Sequence, residues 1–187
     1  MGKVILVTGG ARSGKSAFAE RLLQEAGAPV LYVATAQACD EEMEERIRRH
    51  RARRPPHWRT LEGFAGLGDA LRRDRQAGEA VLVDCLTVMI TNLVLEADLD
   101  QAAEVLGPDT AAAVEARVAA EVEGLLQALA ESEDTSVLVT NEVGMGLVPP
   151  HPLGRLFRDI AGRMNQLAAA RADEVYLVAC GIPLRLK

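Results

Sequence analysis

The chain has 187 residues, 49% of them hydrophobic but only 3% aromatic, and a formal charge of −6. That length suits one domain, residues 1–187, able to bury about 70% of its unfolded surface in an aliphatic core, which argues against disorder. The acidic balance argues against non-specific nucleic-acid binding, so any anion site must be built locally, and no apolar run approaches the ~20 residues that span a bilayer.

The first predicted element is a buried strand, Val4–Thr8. Gly9-Gly10-Ala11-Arg12-Ser13-Gly14-Lys15-Ser16 follows, a glycine, four free positions and then Gly-Lys-Ser, the phosphate-loop pattern. Helical spacing resumes from Ser16, with Phe18, Leu22 and Leu23 on one face. Gly9 and Gly14 let the backbone turn its N–H groups onto an anion, and the helix N-terminus adds positive potential there. Lys15 reaches the β- and γ-phosphates, and the Ser16 hydroxyl ligates Mg²⁺. Arg12 is either a phosphate contact or an exposed loop arginine.

The second strand, Val30–Ala34, leads through Thr35 and Ala36 to Asp40, which fits a helix N-cap. Glu41, Glu42, Glu44 and Glu45 come first in this helix. Arg46, Arg48, Arg49, Arg51, Arg53 and Arg54 come last, an order that suits the helix dipole. Glu42–Arg46, Glu44–Arg48 and Glu45–Arg49 are spaced to pair. Arg51, Arg53 and Arg54 have no acid four residues before them, and this surplus predicts a triphosphate clamp. Met43, Ile47 and His50 share the apolar face. His50 there is either a packed residue or a nucleophile, kept neutral by the surrounding arginines. Arg54-Pro-Pro-His57-Trp58 ends the helix, leaving His57 in a loop, with Glu62 just beyond and a short helix through Leu71–Asp74.

The third strand, Ala80–Asp84, ends on an acid that either holds Mg²⁺ or its water, or caps the next helix. Residues from Glu96 to Pro108 predict an irregular surface excursion. Thr110–Glu131 predicts a helix with Val114, Val118, Val122, Leu125 and Leu126 inward. The fourth strand, Ser136–Thr140, opens into Asn141-Glu142-Val143-Gly144-Met145-Gly146, which is either a second ligand site or a loop with a capping Asn. His151 follows in an exposed turn. The next helix turns Leu153, Leu156, Phe157, Ile160, Met164 and Leu167 to the core. Glu174–Val178 is the fifth strand, and Pro183–Leu186 predicts an edge strand.

This alternation predicts a mostly parallel sheet with helices on both faces and ligands beyond the carboxyl ends of its strands. Cys39, Cys85 and Cys180 lack metal-ligand spacing. Cys85 and Cys180 stand in apolar runs and predict packed, reduced thiols. With an N-terminus that enters a core strand at once, they predict a cytoplasmic protein without a signal peptide.

Gly9–Ser16, Arg46-Ile-Arg-Arg-His50-Arg, Arg54-Pro-Pro-His-Trp-Arg-Thr60, Thr140-Asn-Glu-Val-Gly-Met-Gly146 and Arg158-Asp-Ile-Ala-Gly-Arg-Met-Asn-Gln166 occur in this order. Together they resemble the bifunctional adenosylcobinamide kinase/adenosylcobinamide-phosphate guanylyltransferase family of cobalamin biosynthesis, over nearly the whole chain. The resemblance implies a P-loop NTPase with a RecA-like sheet, a homotrimer, and adenosylcobinamide, ATP and GTP as substrates with Mg²⁺ as cofactor. Two reactions are implied. A γ-phosphoryl group goes from ATP or GTP to the aminopropanol hydroxyl of adenosylcobinamide. Then a histidine, His50 here, takes GMP from GTP and passes it to the cobinamide phosphate. The implied nucleotide contacts are Gly9, Gly10, Ala11, Arg12, Ser13, Gly14, Lys15, Ser16, Ala34, Thr35, Ala36, Arg51, Ala52, Arg53, Arg54, Glu62 and Asp84. Lys15 joins His50 in catalysis, and Ser16 and Asp84 hold the metal. Asp84 stands where relatives can carry Glu. Two rival readings remain at this point: a single-activity small-molecule kinase with a structural His50, and a nucleotide-sensing module. The chain lacks the Asn-Lys-x-Asp guanine motif of switch GTPases.

Overall fold

The computed structural model describes residues 2–37, 41–97 and 107–187, with the side chains of Glu42, Met43, Arg46, Arg49, His50 and Arg53 outside that description. In chain order the elements are β1 (Val4–Gly9), α1 (Lys15–Ala26), β2 (Val30–Ala34), α2 (Glu41–Arg53), β3 (Arg59–Glu62), α3 (Leu67–Asp74) and β4 (Ala80–Asp84). They continue as α4 (Leu86–Glu96), α5 (Pro108–Ala130), β5 (Ser136–Val139), α6 (Pro152–Arg171), β6 (Glu174–Ala179) and β7 (Ile182–Arg185).

All the strands join one sheet in the order β3-β2-β4-β5-β1-β6-β7. Every pairing is parallel except β6 with β7. The central strands are apolar along most of their length because both faces are covered. Alternate residues part cleanly. Leu6, Leu31, Val33, Val81, Val83 and Leu138 pack with α3 to α6. Ile5, Val7, Tyr32, Leu82, Val137 and Val139 pack with Phe18, Ala19 and Leu23 of α1 and with Trp58. The predicted inward residues of α5 are all buried. Its start at Pro108 uses a residue suited to a helix's first turn. On α3, a Cβ added to Gly68 would stand 2.5 Å from Gly124 O of α5, so only glycine permits this approach. The result is the mostly parallel sheet with helices on both faces expected from the alternation of strands and helices.

Three expectations are corrected. First, β3 is a strand where only a loop was read. Arg59-Thr60-Leu61-Glu62 carries one apolar residue, because it lies at the sheet edge and is mostly exposed. Second, Cys180 is exposed. It lies in the two-residue turn between β6 and β7, where Cys180 (φ 53°) and Gly181 (φ 79°) both take left-handed backbone. Cys85 is buried as expected, and burial, with Asp84 beside it, pushes its thiol up to about 12. Third, Arg48 pairs with Glu45, three residues away, rather than with Glu44. The Asp40 cap, Cys39 and residues 98–106 of the predicted excursion lie outside the described residues.

One ion pair anchors β3. Glu79 is 2% exposed. Its carboxylate accepts two bonds from Arg59 Nη1, at 3.1 and 2.8 Å, and one from Gln76 N at 3.1 Å. Removing one partner of a buried pair costs about 3–5 kcal/mol. Arg59 is 42% exposed and the Gln76 bond survives, so Arg59→Ala is expected to cost about 2 kcal/mol. A urea midpoint unchanged from the parent at constant m would refute this anchor.

Candidate active site

The phosphate loop begins where β1 ends. Gly9 has φ +154°, and a Cβ there would stand 2.4 Å from Val178 O and 2.7 Å from Ser13 Oγ. Glycine therefore lets the loop close against β6. Gly10, Ala11 and Arg12 are exposed, and Ser13 and Gly14 are half-buried. Gly14, also left-handed, starts α1 without a side-chain cap, and no acid occupies the first turn. The positive end of α1 is thus available to an anion. Lys15 is 9% exposed and its Nζ donates to Gly10 O at 3.1 Å, folded over the loop it serves.

Asp84 lies at the tip of β4. Its Oδ1 accepts from Ser16 Oγ at 3.3 Å and its Oδ2 from the Tyr32 hydroxyl at 2.7 Å. Burial above all, and then the Asp84 charge, raises the Tyr32 pKa far above its ordinary value, so the phenol stays a donor. Thr35 is fully buried. Its hydroxyl donates to Cys85 O and accepts from Cys85 N, both at 2.8 Å, and its carbonyl accepts from Asn92 Nδ2. Thr35 therefore secures the backbone just past Asp84. Ala34 is buried and Ala36 half-buried beside it.

The arginine end of α2 reaches the same place. The Arg54 guanidinium carbon stacks 3.4 Å from the Tyr32 ring centroid, and Arg54 Nε is buried without a hydrogen-bond partner among the described residues. Arg54, Tyr32, Asp84 and Ser16 thus form a continuous chain from the predicted clamp to the phosphate loop. Arg51 departs from its expected surplus: it is paired with Glu62, which β3 supplies. Spacing within one helix could not reveal a partner on another strand. Arg51, Arg54, Pro55, Pro56, Trp58, Thr60 and Glu62 line a cavity of about 350 Å³. Ala52 is exposed, and the Arg53 and His50 side chains lie outside the description. His57 is exposed, in the turn after α2.

A second polar cluster forms past β5. Thr140 Oγ1 donates to Asn165 Oδ1 at 2.7 Å, so the 3.1 Å contact between the Thr87 and Thr140 hydroxyls must be donated by Thr87. Asn165 Nδ2 donates to Asn141 O at 2.9 Å, and Asn141 N donates to Thr87 Oγ1 at 2.6 Å. The bonds run one way around a closed ring joining α4, β5 and α6. Tyr32, Thr87 and Asn165 escaped the sequence reading as site residues. A lone tyrosine near the tip of an aliphatic strand was the available signal for the first.

The family model for cobinamide kinase / cobinamide phosphate guanyltransferase matches residues 5–186. The chain is 47% identical over 186 residues to the "Bifunctional adenosylcobalamin biosynthesis protein CobU" of Escherichia coli (strain K12), covering 98% of this chain and 99% of that one. It is 46% identical over 182 residues to the "Bifunctional adenosylcobalamin biosynthesis protein CobP" of Pseudomonas aeruginosa, covering 97% and 96%. Among solved structures, a Pyrococcus horikoshii OT3 protein aligns over 99% of this chain and 86% of that one, with a TM-score of 0.53 at 10% identity, a likeness of fold alone. Similarity runs from the phosphate loop through both polar clusters to the last strand, and the chain belongs to the cobinamide kinase / cobinamide phosphate guanyltransferase family.

Proposed function

We propose that this single domain uses one phosphate cradle for two displacements. In the first, the aminopropanol hydroxyl of adenosylcobinamide attacks the γ-phosphorus of ATP or GTP. In the second, a neutral His50 imidazole attacks the α-phosphorus of GTP. An N–P bond forms, the bridging P–O bond breaks and pyrophosphate leaves. A phosphate oxygen of adenosylcobinamide phosphate then attacks that phosphorus, the imidazole leaves, and adenosylcobinamide-GDP is formed.

The observation that carries this reading is the chain from Ser16 through Asp84 and Tyr32 to Arg54. It ties the phosphate loop to the end of α2, the helix whose last turn bears His50. The family's description, cobinamide kinase / cobinamide phosphate guanyltransferase, supports the substrate. The α1 N-terminus, Lys15, Arg12, Arg53 and Arg54 would offset charge on the phosphates and on departing pyrophosphate. Ser16 and Asp84 offer hard oxygen donors that fit Mg²⁺, which when bound neutralises phosphate charge. The cavity beside Glu62 would take the base, with the Glu62 carboxylate as acceptor for guanine N–H groups once Arg51 turns to phosphate. A homotrimeric, cytoplasmic enzyme is part of the proposal. Ile182 and Leu184 of the outer edge strand and Leu186 just past it, all exposed, would give the trimer an apolar face to bury.

GTP labelled at the α-phosphate tests the proposal. The expected result is an acid-labile protein adduct that maps to the peptide carrying His50, with no label retained from γ-labelled GTP. Phosphoryl transfer without any adduct, or an adduct at another residue, would sink it.

A further inference from the structure

β5 runs between β1 and β4, and Val139 is level with both Val7 and Asp84. The residues that follow it therefore emerge between the phosphate loop and the Asp84 carboxylate. They are held from two sides. Thr140 N donates to Val7 O at 2.9 Å, and Glu142 N donates to Gly9 O at 3.1 Å, so Glu142 rests on the first residue of the phosphate loop. From the other side, the closed ring through Thr87, Thr140 and Asn165 grips both backbone groups of Asn141. Satisfied buried networks of this kind make a segment rigid.

The Glu142 carboxylate is differently placed from its acidic neighbours. Glu62 is paired with Arg51, and Asp84 is engaged by Ser16 and Tyr32. Glu142 Oε1 accepts only from Gly144 N, at 2.8 Å, and no cation pairs with it among the described residues. No hydrogen bond engages its second oxygen among the described residues. Beside it, Asn141 Oδ1 is buried without a hydrogen-bond partner among the described residues, an acceptor that a ligand donor would satisfy.

The two displacements differ in one chemical need. An alcohol must lose a proton as it attacks phosphorus, whereas a neutral imidazole and a phosphate oxygen have none to lose in attacking. We infer that Glu142 is the general base of the phosphoryl-transfer step, an assignment that rests on the two-reaction proposal above. As the substrate oxygen bonds to the γ-phosphorus, the bond from that phosphorus to the β,γ-bridging oxygen breaks and the nucleoside diphosphate leaves with the electron pair. The hydroxyl proton passes to Glu142 Oε2 and then to solvent.

Glu142→Gln tests this, because the amide oxygen can still accept from Gly144 N. Phosphorylation of adenosylcobinamide by ATP is expected to fall about 100-fold or more. GMP-adduct formation from GTP, and GMP transfer to adenosylcobinamide phosphate, are expected to stay within about threefold of the parent. Phosphorylation within about threefold of the parent, or both half-reactions falling together, would overturn the assignment. An unaltered chain that forms the adduct but phosphorylates nothing would instead remove the kinase reading, and the assignment with it.

Discussion

Replacing Lys15 with methionine is expected to suppress phosphoryl transfer and GMP-adduct formation together, each by about 100- to 1,000-fold, or about 2.7–4 kcal/mol. The size follows from burial. Lys15 is 9% exposed, so its ammonium acts on phosphate in a poorly screened setting. Its Nζ contact with Gly10 O keeps it over the loop before any ligand arrives, which lowers the ordering cost at binding. Methionine keeps much of the packing volume of the stem and removes the charge. The parallel fall is the informative part, since one cradle should serve both displacements. Separate assays, one following γ-label into product and one following α-label into protein, decide the matter. A loss confined to one reaction would mean that the loop serves that reaction alone.

His50→Ala is expected to separate what Lys15 joins. Without the imidazole no N–P bond can form, so protein-bound GMP should fall to the background of denatured protein. GMP transfer should drop by on the order of 10⁴-fold, as for other lost nucleophiles. Phosphorylation of adenosylcobinamide should persist, because that attack comes from the substrate hydroxyl. Acid-labile GMP labelling that survives in this variant would displace His50 from its role. With Glu142→Gln, the two variants make a reciprocal pair, each blocking one half-reaction and sparing the other.

Much of this arrangement is legible in the amino-acid sequence. The strands β1, β2, β4 and β5 declare themselves because burial on both faces demands nearly continuous apolar runs, and β6 does so through Val175–Val178 although it is only partly buried. Gly9–Ser16 and Asp84 were readable because loop and carboxylate must stand at strand tips. What escaped was decided between elements. β3 carries too little apolar character to register, because an edge strand is secured by its neighbour and by the Arg59–Glu79 pair. The partner of Arg51 lies eleven residues on, across a proline break and on another strand. The ring through Thr87, Thr140, Asn141 and Asn165 closes only when α4, β5 and α6 pack together. Cys180 looked packed from its neighbours, but it supplies the first of the two left-handed residues of a tight turn, beside Gly181, and so lies at the surface.

The position of β3 has a thermodynamic consequence. It forms one wall of the cavity through Thr60 and Glu62, yet it has a single neighbouring strand. Edge strands open at lower free-energy cost than central ones. Any ligand seated against that wall binds only the closed form, and so stabilises the edge by mass action. A nucleotide seated there, as proposed above, would be a partner of the strand in one equilibrium. Substrate entry and release would then need only that border to loosen, while the sheet that aligns the phosphate loop with Asp84 stays intact.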